Sequence, residues 1–497
     1  MVIQVCGTGS GVGKSVIVSA LCRIFLQDGL RPCPFKAQNM ALNSFVTADG
    51  KEMGRAQAVQ AQAAGLVPCA DMNPILLKPM SDRRAQVVVS GIPARNMSVY
   101  EYVRYKKTAE SIVLSSFRHL SGQYDTMVIE GAGSPAEINL SSHDIVNIRM
   151  AMRVHSPVIL VGDIDKGGVF AWLSGTLDLL KPEEKKTVKG FIINKFRGDK
   201  RLLKPGLDFL ERKTGVRVLG VIPYFKDIKI PEEDSVPLEK QAYAERGGGA
   251  VDIAVINLPH ISNFTDFDPL ENEPDVSLRY VGCGDDLGRP DVIIIPGSKS
   301  TISDLDYLKK TGMAGRIAEA FERNRDLVLV GVCGGYQMLG RRIYDRKSVE
   351  SKRRMSGGLG FLPVVTYFDG NKTLAQVSGE EVSTGLKVRG YEIHHGKSVI
   401  SGKKAAPVFK VGGCRGEGIR FDGAGLEGGR VWGTYIHGLF DSGGFRRDFL
   451  NRVRARMGFS SLKPVSQDAE NEFDKLAFLV RRNIKMDLLY SIMEAGL

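Results

Sequence analysis

The chain has 497 residues, of which 43% are hydrophobic and 25% are charged. These ordinary globular values exclude collagen-like, intrinsically disordered and disulfide-scaffold classes, and the length predicts about two to four domains. The 68 Lys and Arg residues exceed the 56 Asp and Glu residues, which gives a formal net charge of +12. This excess favours anionic partners, although it does not separate nucleic acid from phosphates or a polycarboxylate substrate.

The seven cysteines are scattered along the chain and never form a C-x-x-C pair, so they predict neither a disulfide framework nor a zinc site. The apolar N-terminus is interrupted at once by glycines and Lys14, unlike a secretory signal. The apolar run 16–26 contains Arg23 and is too short to span a bilayer. We therefore expect a cytoplasmic protein without membrane insertion.

Short apolar runs alternate with helical patterns in the first half of the chain. The runs are 2–5, 127–129, 158–161, 191–193 and 218–222. This alternation predicts a parallel β-sheet that is covered by helices on both faces. In such a sheet the ligand site lies beyond the carboxyl ends of the strands, where Glu130, Asp163 and Asn194 stand in this sequence.

A glycine-rich loop follows the first apolar run and precedes a helix predicted over 16–27. Its residues are Thr8, Gly9, Ser10, Gly11, Val12, Gly13, Lys14 and Ser15. The glycines let backbone amides surround phosphate oxygens, while Lys14 would reach the β- and γ-phosphates and Ser15 would hold Mg²⁺. The strict P-loop pattern has glycine where Thr8 stands, so this is a variant loop. We predict an ATP site here, with Asn194 as a further contact.

Acidic residues near the same sheet edge are candidates to complete a magnesium site with Ser15. Asp49 and Glu130 are the predicted additional ligands, because carboxylates at strand ends supply the hard oxygens that Mg²⁺ prefers. Lys36 and Asp163 are predicted to contact phosphate or substrate. The alternative for each acidic residue is a loop cap or a salt bridge, and the alternative for Lys36 is a solvated side chain.

The second half of the chain begins a new α/β series after a charged, glycine-rich stretch without apolar periodicity. Its apolar runs are 253–256, 292–295, 327–330 and 431–436. The fold class is therefore α/β, with two parallel-sheet domains. We predict an ATP-binding domain at 1–230, a linker at 231–250, a second α/β domain at 251–445 and a C-terminal helical segment at 446–497.

A G-x-C-x-G pattern centred on Cys333 follows the run 327–330. This is the thiol counterpart of the serine nucleophile elbow, in which small flanking residues permit a strained turn that exposes the nucleophile. The N-terminus of the following helix favours the thiolate form. The alternative is a buried structural cysteine, which is the commoner fate of this residue type.

A cysteine nucleophile needs a base, and His437 at the end of the run 431–436 is the predicted one. His394 and His395 are also downstream; we expect them to pack, and the alternative is that they shape the glutamine pocket. The backbone N–H groups of Gly297, at the end of another strand, and of Gly334 are the predicted oxyanion hole.

Both local patterns resemble known families. The glycine loop resembles that of dethiobiotin synthetase and its relatives, in which ATP phosphorylates a carboxylate-type oxygen. The Cys333 elbow with its downstream histidine resembles the class I glutamine amidotransferases, which release ammonia from glutamine through a cysteinyl thioester. Many members of that class have glutamate two residues after the histidine, where this chain has Leu439. Either another group orients His437 or the histidine works without a third residue.

The order of the two halves and several local sequences resemble those of the corrinoid glutamine amidotransferases. This resemblance covers essentially the whole chain. The stretches that carry this resemblance are 35–40, 73–79, 161–171, 194–199, 259–267 and 390–396. It implies a glutamine-hydrolysing carbon–nitrogen ligase that uses ATP and Mg²⁺, takes glutamine as its ammonia donor, and acts on small molecules rather than nucleic acid.

The branch of that family with the most similar stretches acts in cobalamin biosynthesis. It amidates the b, d, e and g carboxylates of adenosylcobyrinic acid a,c-diamide and gives adenosylcobyric acid. Two alternatives are the branch that forms the a,c-diamide itself and a nucleotide-switch ATPase with a degenerate second domain. The stretches above argue against the former, and the pair of Cys333 and His437 argues against the latter.

Overall fold

The computed structural model describes residues 1–81, 83–139, 144–231, 251–351, 353–413, 418–465 and 468–497. The predicted linker at 231–250 lies outside this description except for its first residue. The chain divides into two compact units. The first consists of Met1–Ala41, Glu52–Asp234 and Asp468–Leu497, and the second of Leu42–Lys51 and Ser235–Gln467.

The strands of the described chain are numbered in chain order. They are β1 (Val2–Gly7), β2 (Pro32–Phe35), β3 (Gln38–Met40), β4 (Ser44–Val46), β5 (Glu52–Gly54), β6 (Ile75–Ser81), β7 (Arg84–Val89), β8 (Ile92–Ser98), β9 (Thr126–Glu130), β10 (Val158–Asp163), β11 (Val188–Phe196), β12 (Arg217–Pro223) and β13 (Val251–Ile256). They continue with β14 (Ile261–Ser262), β15 (Val276–Val281), β16 (Val292–Ile295), β17 (Gly297–Ser298), β18 (Val328–Val332), β19 (Arg342–Tyr344), β20 (Met355–Gly357), β21 (Val364–Glu381), β22 (Lys387–Ile400), β23 (Phe409–Gly413), β24 (Arg420–Asp422), β25 (Ala424–Leu426) and β26 (Val431–Thr434).

The α-helices follow the same order. They are α1 (Lys14–Gln27), α2 (Arg55–Ala63), α3 (Val99–Ser121), α4 (Ile148–Arg153), α5 (Val169–Leu179), α6 (Pro182–Lys185), α7 (Lys200–Thr214), α8 (Asp268–Glu271), α9 (Thr301–Lys310), α10 (Met313–Arg323), α11 (Gly334–Leu339), α12 (Gly443–Arg456), α13 (Ala469–Asn483) and α14 (Met486–Ala495). Short 3₁₀ helices include Ala70–Met72, Phe264–Phe267 and Leu439–Asp441.

The first unit is built on a six-stranded sheet in the order β12-β11-β10-β1-β9-β2. Every pairing within it is parallel. The central strands are almost wholly apolar and buried, as expected for a sheet that helices cover on both faces. A smaller sheet, β3-β6-β7-β8, accompanies it and is mostly antiparallel.

The last two helices of the chain belong to the first unit. Phe473, Leu476, Val480 and Leu489 of α13 and α14 join the apolar core that contains α1 and the central strands. The helical segment predicted at 446–497 is thus divided between the units. Its first helix, α12, lies in the second unit, where buried Arg446 forms an ion pair with Glu273.

The second unit contains a six-stranded sheet in the order β15-β13-β16-β18-β26-β25. All its pairings are parallel except β25 with β26 at the edge. Beside it stands a largely antiparallel sheet of β19 to β24, which includes the long pair β21 and β22. The predicted α/β class with two parallel-sheet domains is therefore confirmed, and the antiparallel sheets are additions to it.

The carboxyl ends of the parallel strands bring the candidate site residues together within each unit. β1 ends at the glycine loop, β9 ends at Glu130, and β11 contains Asn194 two residues before its end. β18 ends directly before Cys333, and β26 ends three residues before His437. Across the residues that the structure describes, we find no helix long and apolar enough to cross a membrane.

Candidate active site

Cys333 occupies a strained turn between β18 and α11. Its backbone has φ 52° and ψ −106°, a conformation that side chains other than glycine rarely adopt. A Cβ on Gly331 would lie 2.7 Å from the Tyr336 nitrogen, and one on Gly335 would lie 1.9 Å from the Ile295 oxygen. The flanking glycines are therefore a steric requirement of this turn, as in a nucleophile elbow.

His437 follows β26 and is held by a residue from a distant part of the chain. Its Nδ1 lies 2.6 Å from Oδ2 of Asp266, and the other carboxylate oxygen of Asp266 accepts a hydrogen bond of 2.9 Å from the Gly438 N–H. Because a carboxylate only accepts hydrogen bonds, Nδ1 of His437 carries the proton. His437 is thus fixed in one orientation and one tautomer, with Nε2 left for proton transfer.

The pKa of His437 is raised well above its ordinary value. Burial lowers this pKa. The negative charges of Asp266 and Cys333, and hydrogen bonds with both residues, together raise it by more than burial lowers it. The net result is a pKa of about 10, compared with an ordinary value near 6.5. The imidazolium form of His437 is therefore favoured at neutral pH when Cys333 is a thiolate.

The two predicted oxyanion-hole residues lie beside this pair. A Cβ on Gly297 would stand 3.1 Å from Cε1 of His437, and one on Gly334 would stand 2.9 Å from the Ser298 nitrogen. Gly334 directly follows Cys333 as the first residue of α11. A side chain at Gly297 would therefore crowd His437, and a side chain at Gly334 would crowd Ser298.

Aromatic rings support the same site. Tyr391 stacks on His437, with ring centroids 5.5 Å apart and an interplanar angle of 22°. The two residues also exchange backbone hydrogen bonds of 3.0 and 2.8 Å. His394 stacks on Tyr435, and burial, with Lys299 and Lys372 nearby, lowers the pKa of His395 to about 4. These two histidines therefore lie in packed surroundings.

The glycine loop of the first unit has the geometry of a phosphate-binding loop. Nζ of Lys14 donates a hydrogen bond of 2.7 Å to the Gly9 carbonyl. Gly13 has φ 97°, and a Cβ there would lie 2.2 Å from Nδ2 of Asn194. That same amide donates a hydrogen bond of 2.9 Å to the Val12 carbonyl. Asn194, near the carboxyl end of β11, therefore contacts the loop and limits the space at Gly13.

Glu130 is the centre of the polar network next to this loop. Its carboxylate is fully buried, and Oε1 accepts hydrogen bonds from Oγ of Ser15 at 2.8 Å and Nζ of Lys36 at 2.9 Å. Oε2 accepts from Gln60 at 2.5 Å and Gln57 at 3.4 Å. The structure thus brings together three of the predicted residues, namely Ser15, Glu130 and Lys36.

Asp163 lies at the edge of the loop and holds a neighbouring lysine. Its Oδ2 pairs with Nζ of Lys195 at 3.0 Å, and its Oδ1 accepts from the Asp165 N–H. Lys195 in turn donates a hydrogen bond of 2.6 Å to the Gly11 carbonyl. Asp163 therefore contacts the loop through Lys195.

The described contacts of the Asp49 carboxylate do not include Ser15 or Glu130. Asp49 belongs to the part of the chain assigned to the second unit, and its side chain is about half exposed. Its carboxylate contacts the Thr47 hydroxyl and Nζ of Lys51 within its own loop. These contacts are those of a loop cap with a salt bridge, which is the alternative to metal ligation for this residue.

Sequence reasoning missed Asp266, Gln57, Gln60 and Lys195 as site residues. Asp266 lies 171 positions before His437, in a 3₁₀ helix without a catalytic motif. The available signals were its place within 259–267 and the position of Lys195 directly after Asn194. Neither signal indicates which side chain Asp266 or Lys195 contacts.

Comparisons with known proteins identify the two domains of the chain. Residues 3–238 match the CobQ/CobB/MinD/ParA nucleotide binding domain, and residues 252–445 match the CobB/CobQ-like glutamine amidotransferase domain. Among solved structures, one titled as a glutamine amidotransferase covers 41% of this chain and 98% of its own, with a TM-score of 0.30 and 15% identity. The family matches define a nucleotide-binding domain joined to a glutamine amidotransferase domain.

Full-length relatives identify the family. A cobyric acid synthase of Dehalococcoides mccartyi (strain ATCC BAA-2266 / KCTC 15142 / 195) is 48% identical over 100% of this chain and 98% of its own. One of Clostridium botulinum (strain ATCC 19397 / Type A) is 50% identical over 99% of each chain. The chain belongs to the cobyric acid synthase family, and it is a glutamine-hydrolysing carbon–nitrogen ligase.

Proposed function

We propose that the second unit releases ammonia from glutamine by covalent catalysis at Cys333. The thiolate of Cys333 attacks the carboxamide carbon of glutamine, and His437 donates its Nε2 proton to the departing nitrogen, so that ammonia leaves and a glutamyl thioester remains. Water then adds to the thioester, with Nε2 of His437 taking its proton. The carbon–sulfur bond breaks, glutamate is released and the thiolate of Cys333 is restored. The contact of 2.6 Å between His437 and Asp266, beside the strained turn at Cys333, is the observation that carries this assignment.

Asp266 is the group that orients the histidine in this proposal. Its spacing from His437 differs from the glutamate two residues downstream that many class I amidotransferases have. The N–H groups of Gly297 and Gly334 would stabilise the oxyanion of each tetrahedral intermediate, because donors fixed in a dry site act without reorganisation.

The first unit would activate the acceptor with ATP. Residues Thr8 to Ser15 with Asn194 form the proposed nucleotide site, in which the buried Thr8 hydroxyl has no hydrogen-bond partner within the described structure. An unsatisfied donor in this place fits a phosphate oxygen. Lys14 and Lys36 would neutralise phosphate charge as the acceptor carboxylate attacks the γ-phosphorus.

The donors near Ser15 also fit a magnesium ion. The Ser15 hydroxyl and the Glu130 carboxylate are hard oxygen ligands, and phosphate oxygens would supply further positions. When bound, Mg²⁺ would neutralise charge on the transferred phosphoryl group. Asp49 stays a predicted ligand, with its own loop as its described surroundings.

The two half-reactions together give an amide. The carboxylate oxygen displaces ADP to form an acyl phosphate, and ammonia then attacks the acyl carbon and releases inorganic phosphate. The chain carries out this glutamine- and ATP-dependent amidation in cobalamin biosynthesis. The proposed acceptors are the b, d, e and g carboxylates of adenosylcobyrinic acid a,c-diamide, as the names of the full-length relatives support. Six described free cysteines support a reducing, cytoplasmic setting for the reaction.

Substitution of the two catalytic centres tests this proposal. Purified protein is incubated with the corrinoid diamide, Mg²⁺-ATP and either glutamine or a high concentration of ammonium, and mass analysis counts the amides formed. Cys333→Ala should lose the glutamine-dependent reaction and keep the ammonium-dependent one, because only the ammonia supply is removed. Lys14→Ala should lose both. Normal use of glutamine by Cys333→Ala would rule out the nucleophile, and no amide formation by the wild type would rule out the reaction.

A further inference from the structure

Gln337 is the centre of a polar cluster that begins one helical turn after the nucleophile. Its backbone N–H donates a hydrogen bond of 3.1 Å to the Cys333 carbonyl. Its side-chain nitrogen donates to Oη of Tyr435 at 3.1 Å and to the His395 carbonyl at 2.9 Å. Its side-chain oxygen accepts from the Thr301 hydroxyl at 3.3 Å. Gln337 therefore joins α9 and β22 to the helix that starts at the elbow.

Glu350 lies next to Thr301 in this cluster. Oε1 of Glu350 is 3.5 Å from the Thr301 hydroxyl, and the backbone N–H groups of Thr301 and Ile302 also donate to this carboxylate. A Cβ on Gly334, the residue after Cys333, would lie 3.2 Å from the same hydroxyl. The carboxylate of Glu350 is thus separated from the elbow by a single side chain.

Asp345 fixes the loop that carries Glu350. Its fully buried carboxylate accepts hydrogen bonds from the backbone N–H groups of Val349 at 2.7 Å, Glu350 at 3.0 Å and Ser351 at 2.8 Å. The backbone at Glu350 is therefore held by contacts of its own loop, which places the carboxylate without the help of a ligand.

One carboxylate oxygen of Glu350 has no donor in this arrangement. Oε2 is buried, and none of the described residues forms a hydrogen bond with it. Burial raises the pKa of Glu350 to about 7, although the charge of Lys299 and the N–H groups at the start of α9 act in the opposite direction. Because a buried acceptor without a donor is costly, Oε2 is a binding position for a cationic or N–H-bearing ligand.

His395 adds a second buried acceptor in the same surroundings. The charge of Lys299 acts on both His395 and Glu350. Since burial and nearby lysines lower the pKa of His395 to about 4, the ring is neutral at pH 7 and donates its one N–H to the Asn371 backbone. Its Nδ1 is buried without a partner among the described residues, so it is an acceptor. Two such acceptors favour a ligand with several N–H groups.

Glutamine carries a group of this kind at the end remote from the reacting carbon. Its carboxamide must reach Cys333, and a short aliphatic chain leads from there to an α-ammonium group with several N–H donors. Glu350 stands one side chain away from Gly334, which suits the far end of a small substrate. An ammonium group beside Oε2 would supply the missing donor and favour the ionised carboxylate.

We propose that Glu350 binds the α-ammonium group of glutamine and thereby selects free glutamine as the ammonia donor. This inference rests on the proposed function, since it assigns a substrate contact at the same glutaminase site. Glu350 is a specificity-determining residue in this assignment, because it contacts the substrate away from the bond that breaks.

The test compares glutamine with 4-carbamoylbutanoate, which is glutamine without its α-amino group. Ammonia release by the full chain is measured with Mg²⁺-ATP and the corrinoid diamide present. In the wild type, kcat/KM should be about 10- to 150-fold lower for the analogue, the effect of one hydrogen bond to a charged group. Glu350→Gln should lower kcat/KM for glutamine by a similar factor, mainly through KM. For the analogue, the same substitution should cost less than about threefold, because the contact is already absent.

Glu322→Gln is the matched control, since Glu322 is an exposed glutamate on α10. It should leave both substrates unaffected. Ammonium-dependent amidation by Glu350→Gln should stay within about twofold of wild type, which verifies that the chain is folded. If Glu350→Gln does not fold, Glu350→Asp decides the question. Its shortened carboxylate should reduce the rate with glutamine and leave the rate with the analogue nearly unchanged.

Two outcomes would overturn the inference and leave the proposed function intact. Equal losses for glutamine and the analogue in the Glu350 variant would show a structural role for this residue. An unchanged KM for glutamine would show that the substrate does not contact Oε2, as expected if water alone binds there. Failure of the proposed function differs from both, because the wild type would then release no ammonia from glutamine, or Cys333→Ala would release it normally.

Discussion

At the scale of single residues, the glutaminase site depends on a carboxylate that acts on His437 from another part of the chain. Asp266 contributes both a hydrogen bond and a negative charge, and burial strengthens both effects. The same charge that orients the imidazole also raises the pKa of His437. Orientation and protonation of this histidine are thus set by one side chain.

Asp266→Asn separates these two effects. Removal of the charge lowers the pKa of His437, so the imidazolium should be lost at a lower pH and the basic limb of the glutaminase pH profile should move down. The amide also permits the wrong tautomer, so kcat should fall by about 10²- to 10⁴-fold. Steady-state glutaminase assays across pH check both effects, with ammonium-dependent amidation as the internal control. An unchanged basic limb would show that Asp266 does not control the protonation of His437.

At the scale of secondary-structure elements, α13 completes the core of the unit that begins the chain. Leu476 on this helix is fully buried in the core shared with α1, whereas Phe478 on the same helix is 61% exposed. The amphipathic pattern of the helix therefore determines which face packs on the first unit.

Leu476→Ala and Phe478→Ala test this packing as a matched pair. The buried substitution should destabilise the first unit by about 2–5 kcal/mol, because a cavity replaces core contacts. The exposed one should cost less than about 1 kcal/mol. Denaturant unfolding followed by far-UV circular dichroism measures both values. Equal losses for the two variants would contradict the assignment of α13 to this core.

The elements that sequence predicts well are those with a strong local pattern. The buried strands β1, β10 and β16 are continuous apolar runs, and Cys333 and His437 follow such strands directly. By contrast, β21 is half exposed and has no sustained alternation of apolar and polar residues, so its sheet was not predicted. Asp266 was missed for a related reason, since its role arises from a tertiary contact that no local period encodes.

At the scale of the whole molecule, the two units have separate apolar cores. One core lies among β13, β16, β18 and β26, and the others surround the sheet that contains β1 and β10. Separate cores predict separate unfolding transitions, because two-state behaviour is typical of single domains. The excess of Lys and Arg over Asp and Glu is consistent with the anionic ligands proposed for this chain.

Calorimetry with and without Mg²⁺-ATP tests this division. Nucleotide at about 100 times its Kd should stabilise the first unit by about 2.7 kcal/mol, so one transition should move upwards more than the other. Lys14→Ala should abolish the displacement without removing either transition. A single transition, or equal displacement of both, would contradict independent cores.

The division of the first unit along the chain affects how the protein folds during synthesis. Its sheet is complete by Pro223, but α13 and α14, which cover part of its core, are translated about 240 residues later. At a synthesis rate of about 5–20 residues per second, α13 and α14 are made about 12–50 s after the last strand of the sheet. Throughout that interval the apolar surface beside α1 is open to the ribosome's surroundings, and a chaperone that shields this surface would raise the yield of native protein.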